Sequence, residues 1–165
     1  IGECGLDFAI EVPVERQERA LELQFELAKR FDLPVILHSR KAHNRLIQMV
    51  KAAHLPKGGV LHAFSGSYQQ AMEWVRLGFS IGVGGTITYP RANKTRDAIQ
   101  RLPLEHLVLE TDAPDMPILG YQGEPNHPSQ LIHALNELAS LHSKSKQSIA
   151  SQLWENSNSA FFICE

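Results

Sequence analysis

The sequence predicts an α/β fold on a parallel sheet, closed as a TIM-type (β/α)8 barrel of which about the last five βα units are present. Three observations predict it. Short apolar runs alternate with amphipathic, helix-like stretches, an order that short connections turn into right-handed parallel crossovers. The runs are apolar on consecutive residues, as strands covered on both faces are. Four of the runs also carry, at or near their C-terminal ends, one residue able to bind a metal: Glu3, His38, His62 and Asp112. That last pattern separates a barrel from a doubly wound sheet, because a barrel delivers all its strand C-termini to one mouth.

The elements follow in order. IGE at 1–3 reads as a strand already under way, with no initiator Met before it, so the chain is expected to lack its beginning. VERQERALELQFELAKRF at 14–31 places Leu21, Phe25 and Ala28 at i, i+4 and i+7, one helical face. Pro34 lies just beyond that helix and opens the strand PVILHS at 34–39. A helix over 40–54 and the strand GVLHAFS at 59–65 come next. SYQQAMEWVRLG at 67–78 is a helix stopped by Gly78, followed by the strand GFSIGVGG at 78–85. KTRDAIQRL at 94–102 is a helix with Pro103 beyond it, and HLVLETD at 106–112 is the last strand. A Gly- and Pro-rich loop, APDMPILGYQGEPNHP, then leads into two helices at 129–143 and 146–162.

Composition bounds the function. With 165 residues, 43% hydrophobic and 21% charged, the chain buries a real core and reads as one domain over residues 1–165. Sixteen Lys and Arg against eighteen Asp and Glu give a net charge of −2, which excludes a global basic field, so any nucleic-acid contact is local. Cys4 and Cys164 form no CxxC pair and suit a reducing cytoplasm better than a disulfide scaffold. No apolar run reaches the roughly 18 residues of a membrane span, and no charged segment followed by an apolar one marks a signal peptide. The expectation is a cytoplasmic protein with no membrane partner; nothing in the sequence speaks to oligomeric state.

Four ionisable side chains among Val, Leu and Ile need a shared partner, because burying each alone costs several kcal/mol. Two carboxylates and two imidazoles around one or two divalent cations supply it. Taken singly, His38 or His62 is more often a hydrogen-bonded structural histidine, Glu3 a surface acid and Asp112 a turn cap; their shared place at strand ends favours the ligand reading.

GECGLD, PVILHSR, LHAFSGS, IGVGGTITYP and VLETDAPDMPILGYQGEPNHP, spread over nearly the whole chain, resemble the TatD-type deoxyribonucleases, metal-dependent hydrolases of the amidohydrolase-like barrel class. The resemblance implies that Glu3, His38, His62 and Asp112 are metal or catalytic residues, with Glu3 and Asp112 catalytic. It also implies divalent ions, two in a complete site and of the Zn, Mg or Mn kind, and a DNA or oligonucleotide substrate met at ends or single strands. The family's N-terminal His-x-His is absent here, and Cys4 stands where the family has Ile. Barrel arithmetic agrees, since a full barrel takes about 250 residues and this chain falls roughly three units short.

The ligand set predicts phosphodiester hydrolysis, with Glu3 bridging two ions about 3.5 to 4 Å apart and Asp112 orienting the attacking water and taking its proton. Arg40 is a phosphate candidate because a guanidinium forks onto phosphate, although an exposed Arg at a helix start is common. Ser65 and Gly66 offer backbone N–H groups to the same anion. Glu110 shares a side with Asp112 by strand alternation but stays unassigned, as the turn there is able to face it outward. Asn126 is expected to fix its loop through backbone hydrogen bonds, and Trp74 and Trp154 read as helix-packing residues. Alternatives are another hydrolase of the superfamily, opening a lactone, amide or phosphotriester, and a catalytically inactive, metal-poor binding protein. This chain alone is expected to have weakened or absent activity.

Overall fold

The computed structural model describes residues 1–161; the expected helix end at residue 162 and Cys164 lie outside them. Five parallel strands form one sheet in sequence order: β1 (Cys4–Asp7), β2 (Val35–Arg40), β3 (Gly59–Leu61), β4 (Phe79–Val83) and β5 (Leu107–Leu109). Between them run α1 (Val14–Phe31), α2 (His43–Ala53), α3 (Tyr68–Val75) and α4 (Asn93–Arg101), and after β5 come α5 (Leu131–Leu141) and α6 (Lys146–Phe161). The alternation read from the sequence is the alternation observed. Its register steps evenly, from Cys4 opposite Leu37, to Val35 opposite Gly59, to Gly59 opposite Phe79, to Ile81 opposite Leu107.

The consecutive apolar residues of the strands serve both faces. Leu6, Val35, Leu37, Leu61, Ile81 and Leu107 join one continuous core. Helix α1 contributes the expected Leu21, Phe25 and Ala28 to it. Helix α3 contributes Ala71 and Trp74, whose ring meets Phe79 edge to face at 5.3 Å. Trp74 also donates its indole N–H to His43 Nδ1 at 3.3 Å, so His43 is a packing histidine.

Several element ends differ from the sequence reading, each for a local reason. The first strand is Cys4–Asp7 and not residues 1–3, because the ladder to β2 begins at Cys4. Strand β3 stops at Leu61, and Ala63 two residues on turns with φ of 48°. Strand β5 stops at Leu109, and Asp112 takes a left-handed φ of 59°. Helix α2 begins at His43 because Arg40 still belongs to β2 and Lys41 makes the turn at φ of 55°. Helix α3 starts where Ser67 and Gln70 cap it reciprocally, and ends at Val75, three residues before Gly78. Trp154 is 66% exposed on α6, against the packing role expected of it; Ile149, Leu153 and Asn156 form the buried face.

Candidate metal centre

His38, the fourth residue of β2, and His62, directly after β3, reach the same point from neighbouring strands. His38 Nδ1 lies 3.1 Å from His62 Nε2. Glu3 joins them, with Oε1 2.7 Å from His62 Nε2 and 3.2 Å from His38 Nδ1. Ligand atoms of these three residues fall within 4.8 Å of one another. Their burial is graded, from His62 at 9% exposed to Glu3 at 49%. Two imidazole nitrogens and a carboxylate oxygen directed at one point are donors for a cation of the Zn, Mn or Fe kind, and on chemistry and spacing they fit one.

Glu3 arrives differently from the sequence expectation. It precedes β1 and does not close a strand. Its reach depends on Gly5: a Cβ at that position would lie 2.0 Å from the carbonyl oxygen of His38, so only glycine lets β1 and β2 approach this closely.

Asp112 stands one ring away from the other three. Its Oδ1 is 3.8 Å from His62 Nδ1, on the opposite side of the imidazole from Glu3, and outside the cluster of converging ligand atoms. Burial raises the Asp112 carboxyl above its ordinary value against the lowering influence of His62, while Glu3 pushes it up further.

Two acids that were not assigned from the sequence belong to this neighbourhood. Asp7 Oδ2 is 3.5 Å from His38 Nε2, the ring nitrogen facing away from Glu3, a carboxylate placed to hold the ring orientation. Asp7 is itself held by the backbone N–H of Ala9 at 2.8 Å, which with Arg40 and His38 keeps its carboxyl below the usual range. Glu110 turns inward: its carboxylate accepts the backbone N–H of Ala63, and burial pushes it up to about 7.

The phosphate candidates separate. Arg40 ends β2 and is not at a helix start; its side chain is 62% exposed, with Nη1 3.7 Å from Asp7. Ser65 is exposed and lines a cavity of about 440 Å³ together with His62, Ala63, Ser39, Lys41 and Lys94. Gly66 is buried under the Phe64 ring and Gln70. Beyond β5, Asn126 is buried and donates to the carbonyls of Thr111 and Met116 at 2.7 and 3.1 Å, tying the loop as expected. His127 is exposed and pairs with Ser129.

The sequence profile of the TatD related DNase family matches residues 1–162. The chain belongs to that family. Among its TatD relatives, a metal-dependent hydrolase of Escherichia coli K12, YjjV, is 53% identical over 164 residues, covering 99% of this chain and 63% of the relative. The 3'-5' ssDNA/RNA exonuclease TatD of a Rahnella species is 37% identical over 171 residues, covering 99% of this chain and 65% of that protein. The crystal structure of YjjV superposes with a TM-score of 0.94 at 52% identity, covering 99% of this chain and 63% of the other. A TatD-family hydrolase of Entamoeba histolytica shares the fold, with a TM-score of 0.88 at 23% identity. The expected fold class therefore stands: five consecutive βα units of a TatD-type barrel. The chain spans slightly under two thirds of the length of these TatD relatives. Among the described residues, no helix is long and apolar enough to cross a membrane.

Proposed function

We propose that the protein is a metal-dependent hydrolase of phosphodiester bonds that shortens single-stranded nucleic acid from an end. The observation that carries the reading is the convergence of Glu3, His38 and His62 on one point in a chain of this family. The relative named as a ssDNA/RNA exonuclease supports the substrate class.

In this reading Glu3, His38 and His62 hold a divalent ion, and a second ion completes the site. A bound ion supplies Lewis acidity toward a phosphoryl oxygen and neutralises charge there. The remaining work falls to the side chains. Asp7 fixes the His38 ring from behind, so that Nδ1 and not Nε2 faces the centre. Asp112, aligned beside His62, orients the attacking water and takes its proton as the water oxygen bonds to phosphorus. The P–O bond to the leaving nucleotide breaks, and that oxygen is protonated from solvent. Arg40 and Ser65 are proposed to contact flanking phosphates, and Lys41 and Lys94, which line the cavity beside His62, give it the positive charge that the chain as a whole lacks. Residues 1–165 are proposed to form the C-terminal portion of one barrel domain.

The test is nucleotide release from single-stranded DNA by the full-length protein with added Mn, Mg or Zn, beside lactone, amide and phosphotriester substrates. Turnover of the DNA that disappears in Glu3→Gln and His62→Ala supports the proposal. Turnover of the other esters or amides alone ends it, as does DNA cleavage that both variants retain.

A further inference from the structure

Glu110 is a carboxylate that the proposed chemistry leaves unused, and its surroundings are specific. It leaves β5 with its own backbone N–H bonded to the carbonyl of Val83 at 3.1 Å. Its side chain then crosses β4 rather than following it outward. The crossing needs Gly82: a Cβ there would sit 2.7 Å from both carboxylate oxygens. On the far side, Oε1 accepts the N–H of Ala63, the residue after His62. Ala63 is a non-glycine residue in the left-handed region, a conformation that persists where neighbouring contacts hold it. One residue further, Phe64 N–H donates to the carbonyl of Gly82 at 3.3 Å. The exits of β3, β4 and β5 are thus joined at one level, with the Glu110 side chain spanning from β5 to the turn after β3. It is absent from the cluster of converging ligand atoms.

We propose that Glu110 is a positioning residue for His62, acting through the backbone: it pins the turn at Ala63 and so aims the imidazole at Glu3 and His38, with Gly82 present to make room for it. The inference rests on His62 being a metal ligand, which is the reading above. A hydrogen-bond acceptor at position 110 is what this role requires, and a charge is not. A direct ligand would need the carboxylate.

The experiment uses full-length protein and compares Glu110→Gln, Glu110→Ala and Gly82→Ala by Mn or Zn titration calorimetry, together with the hydrogen-exchange rate and amide shift of Ala63. Expected are Mn or Zn affinity within about three-fold of the parent for Glu110→Gln, and a loss of about ten-fold or more for Glu110→Ala and Gly82→Ala. Ala63 exchange should accelerate in the latter two only. Equal losses in Glu110→Gln and Glu110→Ala would overturn the inference by making the carboxylate a ligand, and so would unchanged Ala63 exchange in Glu110→Ala. Unchanged metal affinity in His62→Ala would overturn the metal-site reading instead, and the Ala63 amide would still report separately whether Glu110 holds the turn.

Discussion

Asn156 offers a direct measure of how α6 supports the strand that leads into the site. It is buried at 7% exposure, and its Nδ2 donates to the carbonyls of Leu104 at 2.6 Å and Leu107 at 2.7 Å, the entry to β5. Its Oδ1 accepts from Gln152 at 2.9 Å. Replacing it with Leu keeps the branched four-atom shape of the side chain and removes both donors. The two hydrogen bonds to the carbonyls, at about 1 kcal/mol each, are lost together with the one from Gln152, and buried polar groups left with fewer partners cost more where water cannot reach them, for a total of about 2 to 4 kcal/mol. With a urea m-value of about 2 kcal/mol/M, usual for a small protein, the midpoint should fall by roughly 1 to 2 M at constant m. Asn156→Asp, which turns an acceptor toward the same carbonyls, should be at least as damaging. An unfolding free energy for Asn156→Leu within about 0.5 kcal/mol of the parent's would refute the reasoning, since that is what a surface substitution does.

Other outcomes follow from the same geometry. Gly5→Ala brings a Cβ to 2.0 Å from the His38 carbonyl and should destabilise the chain by about 1 to 3 kcal/mol or more, read by urea unfolding; an unchanged midpoint would contradict the close approach of β1 and β2. Asp7→Asn loosens the hold on His38 Nε2 and should weaken Zn or Mn binding about 10- to 100-fold by calorimetry, whereas an unaltered affinity would show that the contact does not orient the ring. Burial holds His142 below its ordinary value of 6.5, against the Ile99 carbonyl that accepts from its Nε2, so the folded state binds this proton less readily than the unfolded one. Its contribution to stability is therefore complete above pH 6.5 and declines as pH falls from there through the lowered folded value. His142→Gln should flatten that part of the stability profile, and an equally steep decline in the variant would assign it to other groups.

The fold was legible because its signal is repeated and cooperative: five consecutive apolar runs, each followed by a helical period, admit few arrangements besides a parallel sheet. Ends of elements were less legible. Strand β5 was expected to run to Asp112 and stops at Leu109, although Glu110 N–H still bonds to Val83, because Asp112 turns at positive φ without being glycine. The same holds for β3, where Ala63 makes the turn, and nothing about an alanine marks a left-handed position. Trp154 fits an amphipathic pattern, yet it follows Leu153 by one residue and so points about 100° away from the face that α6 buries. The buried place at i+3 from Leu153 went to a polar side chain, Asn156, because two backbone carbonyls that accept its Nδ2 lay beneath it.

At the site, residue type was readable and direction was not. His38 and His62 stood out as imidazoles inside apolar strands, and they do meet at 3.1 Å. Glu3 meets them from before its strand rather than from the end of it. Asp7 shares the period-2 series of Glu3 and Gly5, so its approach to His38 was implicit in GECGLD once β1 was known to begin at Cys4. Glu110 depended on a fact held by a different strand. Alternation alone left its side open, and the glycine at position 82 decides the matter by leaving space across β4 for a carboxylate to reach Ala63. A single sequence displays such a pair only after strand register is known, because neither residue is unusual by itself and the constraint lies in their adjacency.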